Sequence, residues 1–200
     1  MDAVERSGLR LKLLKEQAAA GDIAALLFED ESEALTHPYL SHVWAERGAD
    51  LRVEAPGQSK KRAMLGVRDA ISGELTVVTS ATKRSTDFIH LLEEVDRKYA
   101  PSVTGIDLLV VIVLDNGPIH TSKASIHALA ERPWLVVEWL PKYAPELNEI
   151  ERDWCHLKRH YLANQVVLDV DDLDRRIHAA VAAISEHRRL KALSELRDAA

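Results

Sequence analysis

Cysteine is almost absent from this chain: 200 residues contain one, Cys155. A disulfide framework is therefore excluded, and so is a zinc site built from several thiolates. A reducing cytoplasm suits such a chain. Long apolar runs are missing too, since none approaches the roughly 20 residues that a membrane helix needs. The amino terminus lacks the charged, apolar and small-residue order of a signal peptide. Nor is there an excess of positive charge. Lys and Arg number 26 against 32 Asp and Glu, a formal net charge of −6. A nucleic-acid-binding domain usually shows a basic footprint, but binding depends on local patches rather than on the sum. A site that holds divalent cations also carries surplus carboxylate. What is present, 46% hydrophobic and 29% charged residues, is the composition of a folded domain with a substantial core.

Residues 1–21 read as a charged helix ending near Gly21. The run AALLFEDES (24–32) is apolar and then abruptly acidic, which suits a buried strand finishing at a site. Residues 33–58, with Pro38, Pro56 and Gly57, read as an irregular excursion. Residues 61–80 form two β-prone arms around a turn at Asp69, Ser72 and Gly73, a hairpin. Ser85 or Thr86 is placed to cap a helix carrying Phe88, Leu91, Leu92, Val95 and Tyr99 at helical spacing. The segment DLLVVIVLDNGPIH (107–120) implies a strand buried on both faces, broken at Asp115, Asn116 and Gly117. A helix at about 121–131 leads through Pro133 to a strand at 134–140. The loop PKYAPELNE opens a helix with Ile150, Trp154, Leu157 and Tyr161 on one stripe. The last helix spans about 171–197, acidic early and basic late as the helix dipole favours. This order predicts an α/β domain, a five-stranded mixed sheet flanked by helices.

Three carboxylates stand where a structural reason for an acid is weak. Asp30 closes the first apolar run and Asp115 the central one; on neighbouring strands both would emerge at one sheet edge, where ligands of open α/β sheets bind. Glu151 follows in the first turn of the helix after the last strand, turned about 100° from the core-facing Ile150. Three converging acids repel unless cations sit between them, and hard divalent ions take such oxygen ligands. Bland readings stay open. Asp30 and Asp115 are also natural strand-end turn residues, Glu151 fits a capping box with Asn148 as cap, a lone His120 is more often structural, and Cys155 reads as a small semi-buried residue.

The blocks LLFEDES, VLDNGPIH and LPKYAPELNEIERDWCHLKR resemble the three motif blocks of DDE transposases of the mariner superfamily, in particular its bacterial insertion-sequence-630 branch. The likeness covers about residues 24–163. It departs at Glu149 and Lys142, where the family commonly has proline. The resemblance implies a ribonuclease-H-like fold, with 24–165 as the DDE catalytic domain, 1–23 as an amino-terminal helix or linker, and 166–200 as a helix packing on or extending from the core. It places the triad on Asp30, Asp115 and Glu151, holding Mg²⁺ or Mn²⁺, two ions in number. It implies cleavage at the element's end and attack of the freed 3′-hydroxyl on target DNA, in the cytoplasm at the nucleoid. Phosphate contacts are expected from Lys60, Lys61 and Arg62, and from Lys158 and Arg159 beside the site, with His120 orienting a phosphate or water near Asp115. The family's helix-turn-helix modules normally precede the catalytic domain, and about 23 residues do so here. A separate helix-turn-helix polypeptide and a homodimeric active complex are the implied partners. The alternatives are another ribonuclease-H-like nuclease, or an inactive remnant that only binds partners.

Overall fold

The computed structural model describes residues 2–54 and 57–198; Pro56 of the expected excursion lies outside them. Helix α1 (Ala3–Ala20) starts where the Asp2 carboxylate accepts the Glu5 amide at 2.8 Å, and stops at Gly21 in left-handed backbone (φ 81°). Strands β1 (Ala25–Leu35), β2 (Lys61–Asp69) and β3 (Leu75–Ser80) follow, then helices α2 (Ser85–Tyr99) and α3 (Pro101–Thr104). Next come β4 (Val110–Leu114), α4 (Pro118–Thr121), α5 (Lys123–Ala130) and β5 (Leu135–Trp139). A 3₁₀ turn (Pro145–Leu147) precedes α6 (Ile150–His160) and α7 (Val170–Asp198). Among the described residues no helix is long and apolar enough to cross a membrane.

The five strands form one mixed sheet in the order β3-β2-β1-β4-β5. The β3-β2-β1 half is antiparallel, and β1, β4 and β5 are mutually parallel. Strand alternation sends Leu26 and Phe28 to one face and Leu27 to the other. The first face packs with Leu11 and Leu14 of α1, Trp154 and Leu157 of α6, and Leu173 and Ile177 of α7. The second packs with Phe88, Leu91 and Leu92 of α2 and Leu129 of α5. All five residues of β4 are buried, as the apolar run requires of a strand covered on both sides.

Some expected boundaries shift. Asp30 does not close its strand: β1 continues five residues further, to Leu35. The parallel pairing to β4 ends at Phe28–Val113, whereas antiparallel pairing to β2 continues to Leu35–Lys61. Asp30 therefore lies just past the point where one neighbour stops and the other goes on. Helix α2 begins one residue early, because Asp87 in its first turn accepts from the Arg84 amide (2.9 Å), Ser80 Oγ (2.8 Å) and Thr82 Oγ1 (3.1 Å). A carboxylate reaching back replaces the expected Ser85 or Thr86 cap. Leu108 and Leu109, expected inside the central strand, precede it and are partly exposed.

Gly66 sits opposite Asp30 in the β1–β2 register. A Cβ there would lie 2.8 Å from Trp154 Cη2, 3.0 Å from Val77 and 3.1 Å from the Thr76 carbonyl oxygen. The missing side chain thus makes room for the indole that donates to Asp30 Oδ2 at 3.1 Å. Gly66→Ala should cost about 1–3 kcal/mol through overpacking, with an altered near-ultraviolet dichroism of the displaced indole. Gly57→Ala, with open space around it, is the control. Equal denaturation midpoints for the two variants would show that the ring gives way freely.

Candidate active site

Asp30, Asp115 and Glu151 line one cavity of about 400 Å³, together with Asn116, Gly117, Tyr143 and Asn148 among others. Each arrives from a different element. Asp30 comes from β1 beyond the end of β4, Asp115 is the first residue after β4, and Glu151 is in the first turn of α6. Asp115 serves the turn as well as the cavity, because its Oδ1 accepts the Gly117 amide at 2.7 Å. The capping-box reading of Glu151 is not realised. Asn148 turns its amide inward to donate to the Glu29 carbonyl oxygen at 2.7 Å, and Glu149 occupies the cap position. Among the described residues the Glu151 carboxylate accepts no hydrogen bond. No three His, Cys, Asp or Glu side chains among those residues close into a ready metal cage; the acids stand around the cavity.

The electrostatics record that crowding. Burial, then the Glu151 and Glu31 charges, push the Asp30 carboxyl up to about 7. Glu31 is likewise pushed up to about 7 by burial and by Glu29, with Asp115 adding and His120 and Lys83 opposing. Asp115 goes the other way: hydrogen bonds from His120 and the Gly117 amide hold it below the usual carboxylate range against some burial. One acid is thus fixed as an anion while its neighbours resist ionisation.

Glu29 is the residue that sequence reasoning missed. It is fully buried, and its Oε2 lies 2.8 Å from His120 Nε2. That contact is short but poorly aligned, so neither carboxylate oxygen nor that ring nitrogen has a well-formed hydrogen bond. The other ring nitrogen, Nδ1, lies 2.7 Å from Asp115 Oδ1, and the Phe88 ring packs edge-on at 4.8 Å. Burial works against a charged imidazole here, but Glu29 and then Asp115 outweigh it and push the histidine up to about 10. The result is a Glu29–His120–Asp115 chain, in which burial, opposed by His120, holds the Glu29 carboxyl above its usual range; the chain occupies Asp115 Oδ1, while Oδ2 has no hydrogen bond among the described residues. Gly117 is required for it, since a Cβ there would lie 2.8 Å from Asp115 Oδ1. The signal in the sequence was an acid at an inward position of the β1 alternation, in phase with the buried Leu27.

The expected cation contacts divide. His120, expected to meet a phosphate or water, is fully buried and instead holds Asp115. Lys158 does stand beside the acids, half-buried, donating to Ser32 Oγ at 2.8 Å; burial lowers its pKa while Glu151 and Asp30 oppose that. Arg159 is exposed on the same helix. Lys61 pairs with Glu33 at 3.0 Å and Arg62 with Asp174 at 3.1 Å, so of that triplet only Lys60 has no partner for its ammonium among the described residues. Lys61 also stands five registers from Gly66, about 17 Å along the strand from the level of Asp30. Cys155, expected to be semi-buried, is exposed, because α6 turns Asp153, Trp154 and Leu157 inward.

In metal-free protein these shifts fix a pH dependence. A carboxyl raised from 3.8 to about 7 binds protons more tightly in the folded state, so its contribution to stability is lost as pH rises through 7. Asp30→Asn keeps an acceptor for Trp154 and removes the charge. With a chelator present it should be more stable than the parent at pH 8, by on the order of 1 kcal/mol. The gap should shrink below pH 7 and close near pH 4. Thermal melts across that range check it; a gap independent of pH would mean that Asp30 is not crowded.

An uncharacterized 39 kDa protein of insertion element IS630 from Shigella sonnei is 31% identical over 129 residues, 64% of this chain and 36% of that protein. The Mos1 transposase in its paired-end complex with the left transposon end superposes with a TM-score of 0.63 at 17% identity, over 94% of this chain and 58% of that one. A Mos1 mariner paired-end complex with Mn gives 0.58 at 17% identity, over 96% and 62%. The chain thus spans about a third of the insertion-element protein and less than two thirds of the Mos1 chain, whose ribonuclease-H-like fold it shares. The DDE superfamily endonuclease family matches residues 25–174, the stretch that contains all five strands and all three acids, and the chain belongs to that family.

Proposed function

We propose that this chain is the catalytic domain of a transposase that cuts DNA at an element's end and joins the freed 3′ end to target DNA. The observation that carries the reading is the meeting of Asp30, Asp115 and Glu151 at one cavity, where the parallel pairing of β1 with β4 stops. The donor set fits hard divalent cations. Acidic side chains outnumber cationic ones around the cavity, and Asp115 Oδ2 and both Glu151 oxygens carry no hydrogen bond among the described residues. Asp30, Asp115 and Glu151 would hold Mg²⁺ or Mn²⁺, two ions in the working site. Bound there, such ions supply Lewis-acid activation of the attacking oxygen and charge stabilisation of the leaving one.

The chain's own residues do the positioning. His120 and Gly117 fix the orientation of Asp115, Trp154 holds Asp30, and the first turn of α6 carries Glu151 to the opposite wall. Lys158 and Arg159 meet the DNA backbone beside the cavity, and Lys60 meets it further away, just before β2. Such contacts orient a duplex without reading its sequence. Residues 24–165 form the catalytic unit, flanked by 1–23 and 166–200. Recognition of element ends falls to helix-turn-helix modules on a separate polypeptide or elsewhere in the same one, and the active complex is a homodimer on DNA.

Glu151→Gln removes the charge at nearly constant shape. Plasmid nicking in Mg²⁺ should fall by two or more orders of magnitude with the melting temperature nearly unchanged, and Asp115→Asn should abolish the stabilisation that Mg²⁺ or Mn²⁺ gives the parent. Retained nicking would sink the reading, and transfer of a pre-cut end separates a transposase from a simple nuclease. Binding of this chain to duplex DNA should be weak, equal for element ends and random sequence, and steeply reduced by salt. Titration of both duplexes at two salt concentrations measures this, and a salt-resistant preference for one of them would contradict it.

A further inference from the structure

Two residues other than glycine have left-handed backbone among those described, Asn164 and Tyr143. Asn164 has a visible reason: its side-chain amide exchanges hydrogen bonds with the backbone of Ser41, at 3.0 Å and 2.9 Å, and asparagine tolerates that region. Tyr143 has no such reason. At φ 60° it is a bulky residue in a region such residues rarely enter. It is also 97% exposed, and its hydroxyl makes no hydrogen bond among the described residues. The exposed ring and hydroxyl thus gain no hydrogen bond or burial among the described residues in return for the strain. Strain of this kind gathers where a site imposes it, and Tyr143 lines the same cavity as Asp30, Asp115 and Glu151.

The ring is held out by a stiff frame. Pro141 and Pro145 fix the backbone on either side. The Leu140 amide donates to the Leu114 carbonyl oxygen at 2.8 Å, and its own carbonyl oxygen accepts from the Asn116 side chain at 2.6 Å. Ala144, next to the tyrosine, is buried. The platform is thus tied to the loop that carries Asp115. Lys142, exposed beside it, adds a cation suited to a phosphodiester backbone. An aromatic face presented this way, next to a cationic side chain, suits a planar π-system attached to phosphate.

We propose that Tyr143 is a stacking platform for one unpaired nucleobase next to the phosphate that enters the cavity. The inference rests on the reading of the site as a DNA-cutting centre. A base inside an intact duplex is already stacked on both faces, so the platform is filled when the strand end is frayed or splayed. A base is accepted whatever its identity, because every base has a π-face.

The probe is a forked DNA duplex carrying 2-aminopurine at one of three unpaired positions, read on mixing with the chain in Mg²⁺. The parent and Tyr143→Phe should quench one position strongly. Tyr143→Asn removes the ring while keeping a residue that accepts left-handed backbone, so its melting temperature should not fall. It should lose the quench and bind the forked duplex about 5- to 150-fold more weakly, with affinity for a fully paired duplex unchanged. Quenching that persists in Tyr143→Asn, or that no position shows with the parent, overturns the proposal. So does an equal loss of affinity for paired and forked DNA. Quenching through Tyr143 without nicking would leave the base subsite standing and remove the cleavage reading; nicking without quenching would do the reverse.

Discussion

The site depends on an inequality between two neighbouring strands. β4 ends at Leu114, and its parallel pairing with β1 stops at Phe28–Val113, while β1 runs on to Leu35 against β2. The sheet is stepped at that point. The step leaves Asp30 on a strand with one side uncovered and puts Asp115 at the first position free of the ladder. Everything else at the cavity fits into this step. The turn at Gly117 folds back over Asp115, the 140–145 loop closes one wall, and α6 lies across β1 so that Glu151 faces the gap. A β4 longer by two residues would pair where the acids now stand.

Packing acids into the step conflicts with stability, and the fold answers in two ways. Where charge has to be kept, it is held: Asp115 is clamped by His120, which is itself sandwiched against the buried Glu29. Where it is not held, as at Asp30 and Glu31, burial and the charges of neighbouring acids raise the carboxyls to about 7. This is the pattern of a functional site, where local choices disagree with the demands of the core and the rest of the chain compensates. The compensation is visible on the far side of α6. Asp153, buried two residues after Glu151, pairs with Arg68 of β2 at 3.3 Å and with Arg188 of α7. Arg188 also donates to the Gly73 carbonyl oxygen in the hairpin turn at 2.7 Å. One buried acid thereby locks α6 to the hairpin and to α7, and so fixes the rotation of α6 that presents Glu151.

Much of this was legible in the sequence because it rests on periodicity. The strand β4 announces itself by an unbroken apolar run, α2 by Phe88, Leu91, Leu92 and Val95 at helical spacing, and the three acids by their places at the ends of such segments. What was not legible depends on partners distant in the chain. Whether β1 stops at Asp30 is decided by β2, some 35 residues later, which continues the ladder that β4 abandons. Whether Asn148 caps α6 is decided by the Glu29 carbonyl oxygen, more than a hundred residues earlier, which takes its amide. The basic triplet at 60–62 reads as a patch, yet Lys61 and Arg62 are claimed by Glu33 and Asp174 from other elements. His120 reads as a loop residue because nothing local shows that Glu29 waits for it inside.

Gly66 and Trp154 show how the two halves of the molecule are joined through such distant matches. Trp154 is on the buried face of α6, three residues after Glu151, and its ring tip fits against Gly66 of β2 while its indole N–H reaches Asp30 on β1. The same side chain fills the first core, sets the approach of helix to sheet, and holds one of the acids. A helix spaced further from the sheet would withdraw the indole from Asp30 and move Glu151 outward in the same step. The separation of Asp30 and Glu151 across the cavity is therefore governed by one packing contact, made possible by one absent side chain.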